Sequence, residues 1–353
     1  MGSNFNNVPP FPSDVPTIDL RCLSYNKLLA EDVAESEQLF KSCKENGFFL
    51  LNLQGSNEGD EMLELAKFAF QLSEDLSMKS DKEELEKYAW KPPGSIFGYK
   101  GLGKTKTEDG KPDNAEFYAM AQDDMIGNVA PSAHPPIIEQ ARPKIKEYCT
   151  RAHSILMHLM SHLDKHLGLE AGTLASLNPI DQPSGTSLRM LHAPPLPAGS
   201  AARGSVFGHT DFGSMTLLFN IVGGLQVLVP PDAEPIDANY RYVKPQPGCA
   251  IINLGDAMIP WSGGLLKSNM HRVVVPPGEQ KTIDRYSLAY PMRPAANASM
   301  RRLAKVGANE GAETEMNGEK DICAKDWEKL RVARLVGGNL KRVAVMEVKE
   351  VEA

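Results

Sequence analysis

Residues 214–230, SMTLLFNIVGGLQVLVP, contain two short apolar runs separated by Gly223-Gly224. Similar runs occur on both sides of this stretch, with Gly and Pro between them: SLRMLHA (187–193), RYVKP (241–245), CAIINL (249–254), HRVVVP (271–276) and RYSLAYP (285–291). Many short strands separated by turn residues are typical of a β-sandwich or a barrel-like jelly roll. The chain from about residue 186 onward is therefore expected to form a jelly-roll core.

Helical patterns dominate the rest of the chain. Apolar residues at helical spacing predict helices over 31–47, 61–78, 143–167 and 324–336. We expect strands at 15–20 and 47–55, a long loop at 91–114 and a polar linker at 295–320. The predicted fold is mainly β with surrounding helices (α+β). Its expected parts are an N-terminal helical and strand region (1–182), the jelly-roll core (183–294) and a C-terminal linker and helix (295–353).

The composition limits the classes of partner. The chain has 353 residues, of which 42% are hydrophobic, and a net charge of -7, so it can bury a large core. No Lys/Arg run indicates a nucleic-acid surface, and no apolar run has the length of a membrane span. The five scattered cysteines favour a reducing, cytoplasmic compartment. We expect a small-molecule partner, no nucleic acid and no membrane. The oligomeric state is not predicted.

Three histidines lie on one face of the predicted 143–167 helix, because His158, His162 and His166 are each four residues apart. A metal site is conceivable there, but no carboxylate or cysteine accompanies them at a recognisable ligand spacing. Asp164 cannot easily share an ion with His162, because helix residues two apart point to nearly opposite sides. The expectation for this face is a partly solvated surface.

The hexapeptide GHTDFG (208–213) has a stronger metal pattern, since it lies in the β-rich region. Residues i and i+2 of an extended chain share one face, so His209 and Asp211 can reach one ion. A third ligand must come from another strand, and His271, at the start of HRVVVP, is the best candidate. Two histidines and a carboxylate form the facial triad of non-haem Fe(II) oxygenases, although the same ligand types also suit Zn or Mn.

The strand RYSLAYP offers an anion site. Arg285 and Ser287 share one face by the same alternation. A guanidinium binds a carboxylate through two parallel hydrogen bonds, and the neighbouring hydroxyl adds a further donor. The alternative is a surface arginine paired with a nearby Asp or Glu. The three candidate metal ligands upstream favour the anion site.

These residues, in this order, resemble the Fe(II)- and 2-oxoglutarate-dependent dioxygenases of the isopenicillin-N-synthase-like, plant-type branch. The resemblance covers about residues 15–294 and includes the following blocks: VPTIDL (15–20), CKENGFF (43–49), GYKGLG (98–103), DNAEFY (113–118), LRMLHAPP (188–195), HTDFGSMTLL (209–218), VGGLQVL (222–228), INLGDAM (252–258), KSNMHRV (267–273) and RYSLAY (285–290). It implies a double-stranded β-helix (jelly-roll) core with Fe(II) on His209, Asp211 and His271.

The resemblance also implies an activity. 2-Oxoglutarate would chelate the iron through its keto acid end, with its distal carboxylate on Arg285 and Ser287. Its decarboxylation to succinate with O2 would drive removal of hydrogen from an unactivated C–H bond of a small molecule. The outcome would be hydroxylation, desaturation or oxidative cyclisation, as in the biosynthesis of specialised metabolites.

One departure from the family keeps alternatives open. The family commonly shows Asn-x-Tyr-Pro-Pro, whose Tyr helps hold the co-substrate, but here Leu191 and Ala193 occupy the Asn and Tyr positions. An Fe(II) oxidase or cyclase of the same fold that does not use 2-oxoglutarate therefore stays possible. A non-catalytic jelly-roll binding protein is a further alternative, for which loss of a triad ligand would be the signature.

The same resemblance implies residues on the substrate side. Arg189, Leu191 and Ala193 alternate onto the face that looks toward the iron in the family, so Arg189 could hold a carbonyl, phenol or carboxylate. Phe117 lies where relatives often place a substrate-lining aromatic residue. The alternative is that Arg189 pairs with an acidic neighbour and Phe117 is ordinary core.

Overall fold

Two β-sheets form the centre of the molecule in a computed structural model, which describes residues 8–91, 95–106, 110–196, 206–303 and 322–336. The strands are β1 (Cys22–Ser24), β2 (Phe48–Asn52), β3 (Gly98–Lys100), β4 (Glu116–Ala121), β5 (Ser187–Ala193), β6 (Val206–His209), β7 (Met215–Asn220), β8 (Leu225–Leu228), β9 (Tyr240–Tyr242), β10 (Cys249–Leu254), β11 (His271–Val273) and β12 (Arg285–Met292). The α-helices are α1 (Tyr25–Leu29), α2 (Val33–Glu45), α3 (Asn57–Lys79), α4 (Lys82–Glu86), α5 (Gln122–Ile126), α6 (Pro136–His166), α7 (Thr173–Ser176), α8 (Met258–Trp261) and α9 (Ala324–Val336).

The larger sheet has the strand order β1-β2-β10-β7-β12-β5-β4-β3, and the smaller sheet has the order β6-β11-β8-β9. At the middle of the larger sheet, Leu288 of β12 pairs with Phe219 of β7 on one side and with Met190 of β5 on the other. The N-terminal strands β1 to β4 continue this sheet at both edges. The N-terminal region is thus hydrogen-bonded to the core.

Helices α3 and α6 cover one face of the larger sheet. Leu288, Tyr290 and Met190 of that face are buried, together with Leu156 and Leu163 of α6. Burying one such apolar side chain contributes about 1.5–3 kcal/mol. A strand shifted by one residue would turn its whole apolar set to the opposite face, so this burial fixes the register.

The opposite face of the larger sheet turns toward the smaller sheet. Apolar side chains of both sheets meet there, including Leu50 and Ile251 of the larger and Leu225 and Val227 of the smaller. The β5 residues on this face, Arg189, Leu191 and Ala193, are only partly buried. Met190 and His192, which alternate with them, are buried on the opposite face. Partial accessibility inside the fold indicates a cavity between the two sheets.

The strands predicted from residue 187 onward are confirmed as β5 and β7 to β12, and the last helix has its predicted bounds. The predicted strand at 15–20 is wrong, since only an isolated bridge joins Thr17 to Tyr242. Helix α6 begins at Pro136, before its predicted start at 143. Proline is favoured at a first helical position, and the buried Ile138 anchors this first turn despite Pro143 inside the helix.

Other expectations fall partly on residues that are not described. The predicted loop at 91–114 contains the short strand β3, and its residues 92–94 and 107–109 lie outside the described residues. Most of the linker expected at 295–320, from residue 304 onward, also lies outside them. Among the described residues, no helix is both long enough and apolar enough to cross a membrane.

Candidate active site

Strand pairing brings two of the predicted iron ligands together. His209 is the last residue of β6, His271 is the first of β11, and the two are direct register partners. Residues opposite each other in an antiparallel pair project from the same face. Their ring centroids accordingly lie 4.3 Å apart.

Asp211 lies in the loop after β6, not within an extended strand as the sequence analysis assumed. Tertiary contacts hold this loop against the turn that follows β10. The Thr210 hydroxyl donates to the Asp256 carboxylate at 2.9 Å, and the Asp256 backbone N–H donates to the Asp211 carbonyl at 2.7 Å. Asp211 thus reaches the histidines because of a loop contact, and strand alternation is not the reason.

Two donors orient the Asp211 carboxylate. Thr216 Oγ1 and Asn253 Nδ2 donate to its Oδ2 at 2.6 and 2.8 Å. These two residues are themselves register partners on β7 and β10, so their side chains lie on the same face. The other oxygen, Oδ1, lies 3.7 Å from His209 Nε2 and 3.9 Å from His271 Nε2.

The three side chains fit around one metal ion. Their potential ligand atoms lie within 4.8 Å of one another. Facial ligands that are each about 2.0–2.2 Å from an ion lie roughly 3 Å apart, so binding requires the ligand atoms to approach one another by about 1–2 Å. Two imidazole nitrogens and one carboxylate oxygen are the donor set of the non-haem Fe(II) facial triad, which leaves positions open for other ligands.

The protonation states suit metal binding. Burial, aided by the charge of His209, lowers the pKa of His271 to about 4, so its imidazole is neutral at physiological pH. His271 Nδ1 lies 3.1 Å from the Asn269 carbonyl, which selects the tautomer that leaves Nε2 for a metal. Burial alone would raise the pKa of Asp211. The two histidines and the hydrogen bonds to its carboxylate instead hold that pKa well below its usual range.

Arg285 lies at the start of β12 with its guanidinium buried. Its Nε donates to the Gly223 carbonyl at 2.7 Å, and its Nη1 donates to Ser287 Oγ at 3.3 Å. Burial lowers the pKa of Arg285 to about 10, which leaves the guanidinium charged at neutral pH. Among the described residues it forms no ion pair with a carboxylate, so the alternative of a paired surface arginine does not apply.

A glycine makes the approach to Arg285 possible. Gly224 has φ +110, in the region that favours glycine, and a Cβ there would lie 2.6 Å from the Val274 carbonyl and 3.3 Å from Arg285 Nε. The Gly223-Gly224 pair that separates the two apolar runs of the sequence therefore also packs the backbone onto the guanidinium.

The predicted substrate-side residues occupy neighbouring strands. Leu191 of β5 lies directly between Phe117 of β4 and Ser287 of β12, and Ala193 lies opposite Arg285. Phe117 is only partly buried, and its ring packs edge-on against Trp90 with the centroids 6.0 Å apart. Leu191 and Phe117 therefore share one face with the predicted co-substrate residues.

A buried ion pair beside the site was not predicted from the sequence. The carboxylate of Asp256 pairs with Arg331 of α9, whose guanidinium lies 6.0 Å from the Phe212 ring. Arg293 pairs with Glu328 of the same helix. A cavity of about 240 Å³ beneath α9 is lined by Phe212, Arg293 and Glu328, but by none of the candidate iron ligands. The INLGDAM block contains Asp256, but no signal in it indicates a partner on a distant helix.

The histidine face of α6 is partly solvated at His158 and His166, as expected, but His162 is fully buried. Its Nδ1 lies 2.8 Å from Ser36 Oγ and its Nε2 lies 3.2 Å from the Leu28 carbonyl, so both ring nitrogens have protein partners. The packing of α1 and α2 against α6 also brings Glu31 within 4.8 Å of His158 and His162, which the sequence spacing could not show.

Comparison with known proteins places this geometry in a family. The model of the 2OG-Fe(II) oxygenase superfamily matches residues 186–294, and that of the non-haem dioxygenase in morphine synthesis N-terminal region matches residues 15–139. A 2-oxoglutarate-dependent dioxygenase of Aspergillus fumigatus is 30% identical over 308 residues, which cover 83% of this chain and 80% of that protein.

Solved structures have the same fold. A Neurospora crassa protein in complex with alpha-KG and thymine superposes with a TM-score of 0.73 at 22% identity, over 92% of this chain and 98% of that one. JOX2, in complex with 2OG, Fe and JA, gives a TM-score of 0.67 at 21% identity, over 93% and 92% of the two chains. The predicted jelly roll is confirmed, as is enzymatic oxygenation with Fe(II), 2-oxoglutarate and O2. This chain belongs to the Fe(II)- and 2-oxoglutarate-dependent dioxygenases.

Proposed function

We propose that the cavity between the two sheets is where this dioxygenase oxidises a C–H bond of a small molecule, with His209, Asp211 and His271 as the iron ligands. The observation that carries the proposal is the convergence of these three side chains beside a buried arginine that lacks a carboxylate partner among the described residues. A metal site and a site for a dianionic chelator then face the same cavity between the two sheets.

The chain's own residues prepare the iron site. Thr216 and Asn253 fix one oxygen of Asp211 and leave the other directed toward the histidines. The Asn269 carbonyl holds the His271 ring in one tautomer. Partners of this kind, behind the ligands, typically contribute 10–100-fold to metal affinity. When bound, Fe(II) and 2-oxoglutarate together reduce O2, with release of succinate and CO2, and provide the oxidising power for an unactivated C–H bond.

Arg285 and Ser287 are proposed to bind the distal carboxylate of 2-oxoglutarate. The Nε of Arg285 is held by the Gly223 carbonyl, which fixes the plane of the guanidinium before the co-substrate arrives. A guanidinium fixed in this way loses little conformational entropy on binding a carboxylate. Ala193, directly opposite Arg285, supplies no hydroxyl, so the pair on β12 carries more of the binding than in relatives with tyrosine there.

Arg189, Leu191 and Phe117 are proposed to form part of the substrate wall. They lie on the cavity face of β4 and β5, beside the proposed co-substrate residues. Two of the compared structures hold small molecules, thymine and JA, together with the co-substrate. A small-molecule substrate in specialised metabolism is the corresponding proposal for this chain, with hydroxylation, desaturation or cyclisation as the outcome.

We also propose that residues 183–294 form the catalytic core, with 1–182 packed on it and 295–353 as a C-terminal linker and helix. A cytoplasmic location is proposed as well, because the five cysteines are unpaired thiols.

The experiment that tests the proposed function is a metabolite screen. The protein is incubated with Fe(II), 2-oxoglutarate, ascorbate and candidate metabolites, and succinate and product masses are measured. Substrate-dependent succinate formation with gain of one oxygen atom or loss of two hydrogen atoms is expected. His271→Ala should abolish turnover, whereas His158→Ala, a histidine change on α6, should retain it. Turnover that survives in His271→Ala would overturn the assignment of the iron site.

A further inference from the structure

Arg189 is a cation on the cavity face whose charge Asp211 and Glu328 attract, although neither forms an ion pair with it. It projects from β5 between Ala119 of β4 and Ala289 of β12, its register partners on the two sides. Both neighbours are small, so the guanidinium has space around it. Its Nε makes one long hydrogen bond, 3.4 Å to Ser187 Oγ. Among the described residues, it forms no ion pair with a carboxylate, in contrast to the alternative in which Arg189 pairs with an acidic neighbour.

Two further arginines near the site, in contrast to Arg285, already have acidic partners. Arg293 pairs with Glu328, and Arg331 pairs with Asp256. Burial and the repulsion from Arg293 lower the pKa of Arg189 to about 10, which still leaves it charged at neutral pH. Because a buried cation without a counter-ion is costly, such a group is usually compensated by a ligand or a partner.

Binding of the cofactors does not supply that compensation. Fe(II) and Arg285 carry three positive charges, and Asp211 and the two carboxylates of 2-oxoglutarate carry three negative ones. The loaded site is thus balanced without Arg189, whose charge is left over. A further ligand with one negative charge would complete the balance.

We propose that the substrate of this enzyme carries a carboxylate and that Arg189 binds it. The inference rests on the proposed function, because it places the substrate in the same cavity as the iron. A carboxylate matches the single charge of Arg189 and the planar fork of its donors.

The strand geometry also limits the rest of the substrate. Leu191 lies two residues along β5 from Arg189, a separation of about 7 Å on the same face. Phe117 lies directly opposite Leu191. A molecule anchored at Arg189 therefore extends an apolar part over Leu191 and Phe117. The expected substrate is a small monocarboxylic acid with an apolar body, oriented by its acid group.

Matched pairs of acids and amides test this proposal. Cinnamate with cinnamamide, and 4-phenylbutyrate with 4-phenylbutanamide, are titrated calorimetrically into the protein loaded with Fe(II) and saturating 2-oxoglutarate under nitrogen. Saturation with 2-oxoglutarate keeps the acids away from Arg285. Because a charge-assisted pair is stronger than a neutral one, at least one acid should bind about tenfold or more tightly than its amide.

Variants of the protein test whether Arg189 causes the preference for the acid over the amide. Arg189→Gln should remove the preference for the acid, and Arg189→Lys should retain part of it, since the charge is kept. Arg241→Gln removes the same charge from β9 in the smaller sheet and should leave the preference unchanged. Equal binding of acid and amide by the unmodified protein, or a preference that persists in Arg189→Gln, overturns the proposal. The comparison within the unmodified protein decides the matter even if Arg189→Gln does not fold.

Succinate release measured in parallel separates this proposal from the proposed function. If the unmodified protein decarboxylates 2-oxoglutarate but does not distinguish acids from amides, only the substrate class is refuted. If acids bind through Arg189 but Fe(II) and 2-oxoglutarate give no succinate with any metabolite, the proposed function fails and the anion site stands.

Discussion

Replacing Arg285 by glutamine should weaken 2-oxoglutarate binding about 30–150-fold. Arg285 is 5% exposed and has no acidic partner among the described residues, so the bound carboxylate would lose the counter-charge that this residue supplies. Removing one partner of a buried charge pair costs about 2–5 kcal/mol. Glutamine keeps an amide donor and the Ser287 hydroxyl remains, so we expect the lower part of this range, about 2–3 kcal/mol.

Ser287→Ala provides the graded comparison. Its hydroxyl is a neutral donor beside the guanidinium, and a hydrogen bond of this kind contributes about 0.5–1.5 kcal/mol, or about 2–12-fold in affinity. Arg285→Gln should therefore have the larger effect by about one order of magnitude. Arg285→Lys, which keeps the charge but loses the planar fork, should lie between the two.

Both affinities are measured by anaerobic calorimetry with 2-oxoglutarate and Fe(II)-loaded protein. Because Arg285 also holds the Gly223 carbonyl, circular dichroism and thermal unfolding must show that each variant is folded. An affinity of folded Arg285→Gln within about threefold of that of the unmodified protein would refute the reasoning. The distal carboxylate would then bind elsewhere, and the charge balance that singles out Arg189 would fail with it.

Four further outcomes are expected. Asp211→Ala should lose Fe(II) binding while His158→Ala keeps it, as measured by equilibrium dialysis; retention of iron in Asp211→Ala would exclude the carboxylate as a ligand. Asn253→Ala should weaken Fe(II) binding about 10–100-fold because one donor to that carboxylate is lost, and unchanged affinity would contradict this role. Arg331→Met leaves a buried carboxylate unpaired and should lower the free energy of unfolding by about 2–4 kcal/mol in urea titrations; an unchanged midpoint would show that the pair contributes nothing. Burial would raise the pKa of Glu116, but hydrogen bonds from three neighbouring side chains lower it to about 2. Its stabilisation is therefore fully present above about pH 4.3 and is lost as the pH falls from there to about 2. Glu116→Gln should therefore make thermal stability less dependent on pH across this acid range, and an unaltered slope would count against the network.

The strands could be predicted because their apolar runs are short and interrupted by Gly and Pro, and this pattern depends only on local sequence. Which strands become neighbours depends on the tertiary fold and not on local sequence alone. Thr216 and Asn253 both donate to the Asp211 carboxylate because β7 and β10 are adjacent. Nothing in the sequence of either strand indicates that the other is its neighbour. The donors behind the metal ligands were therefore missed, although both blocks that contain them had been identified.

The proposed iron ligands were identified from the sequence for a partly wrong reason. Residue types limited the choice to His209, Asp211 and His271, and the strand rule was then used to bring two of them together. In the structure, β6 ends at His209, and the hydrogen bonds of the loop to Asp256 position Asp211. A prediction from ligand types does not depend on the backbone conformation, because the ion needs only that the three groups lie within its reach.

The environment of Arg189 could be predicted only in part from the local sequence. Alternation along β5 placed it on the correct face with Leu191, but could not decide whether it had an acidic partner. That depends on α9, which follows β12 in sequence and carries Glu328 toward the end of the larger sheet. There Glu328 pairs with Arg293 and leaves Arg189 without an ion-pair partner among the described residues. The spacing of residues in the sequence does not show whether Glu328 pairs with Arg189 or with Arg293. Because this choice leaves the Arg189 charge at the cavity wall, the docking of α9 matters to the proposed preference for a carboxylate substrate as much as the strand that carries Arg189.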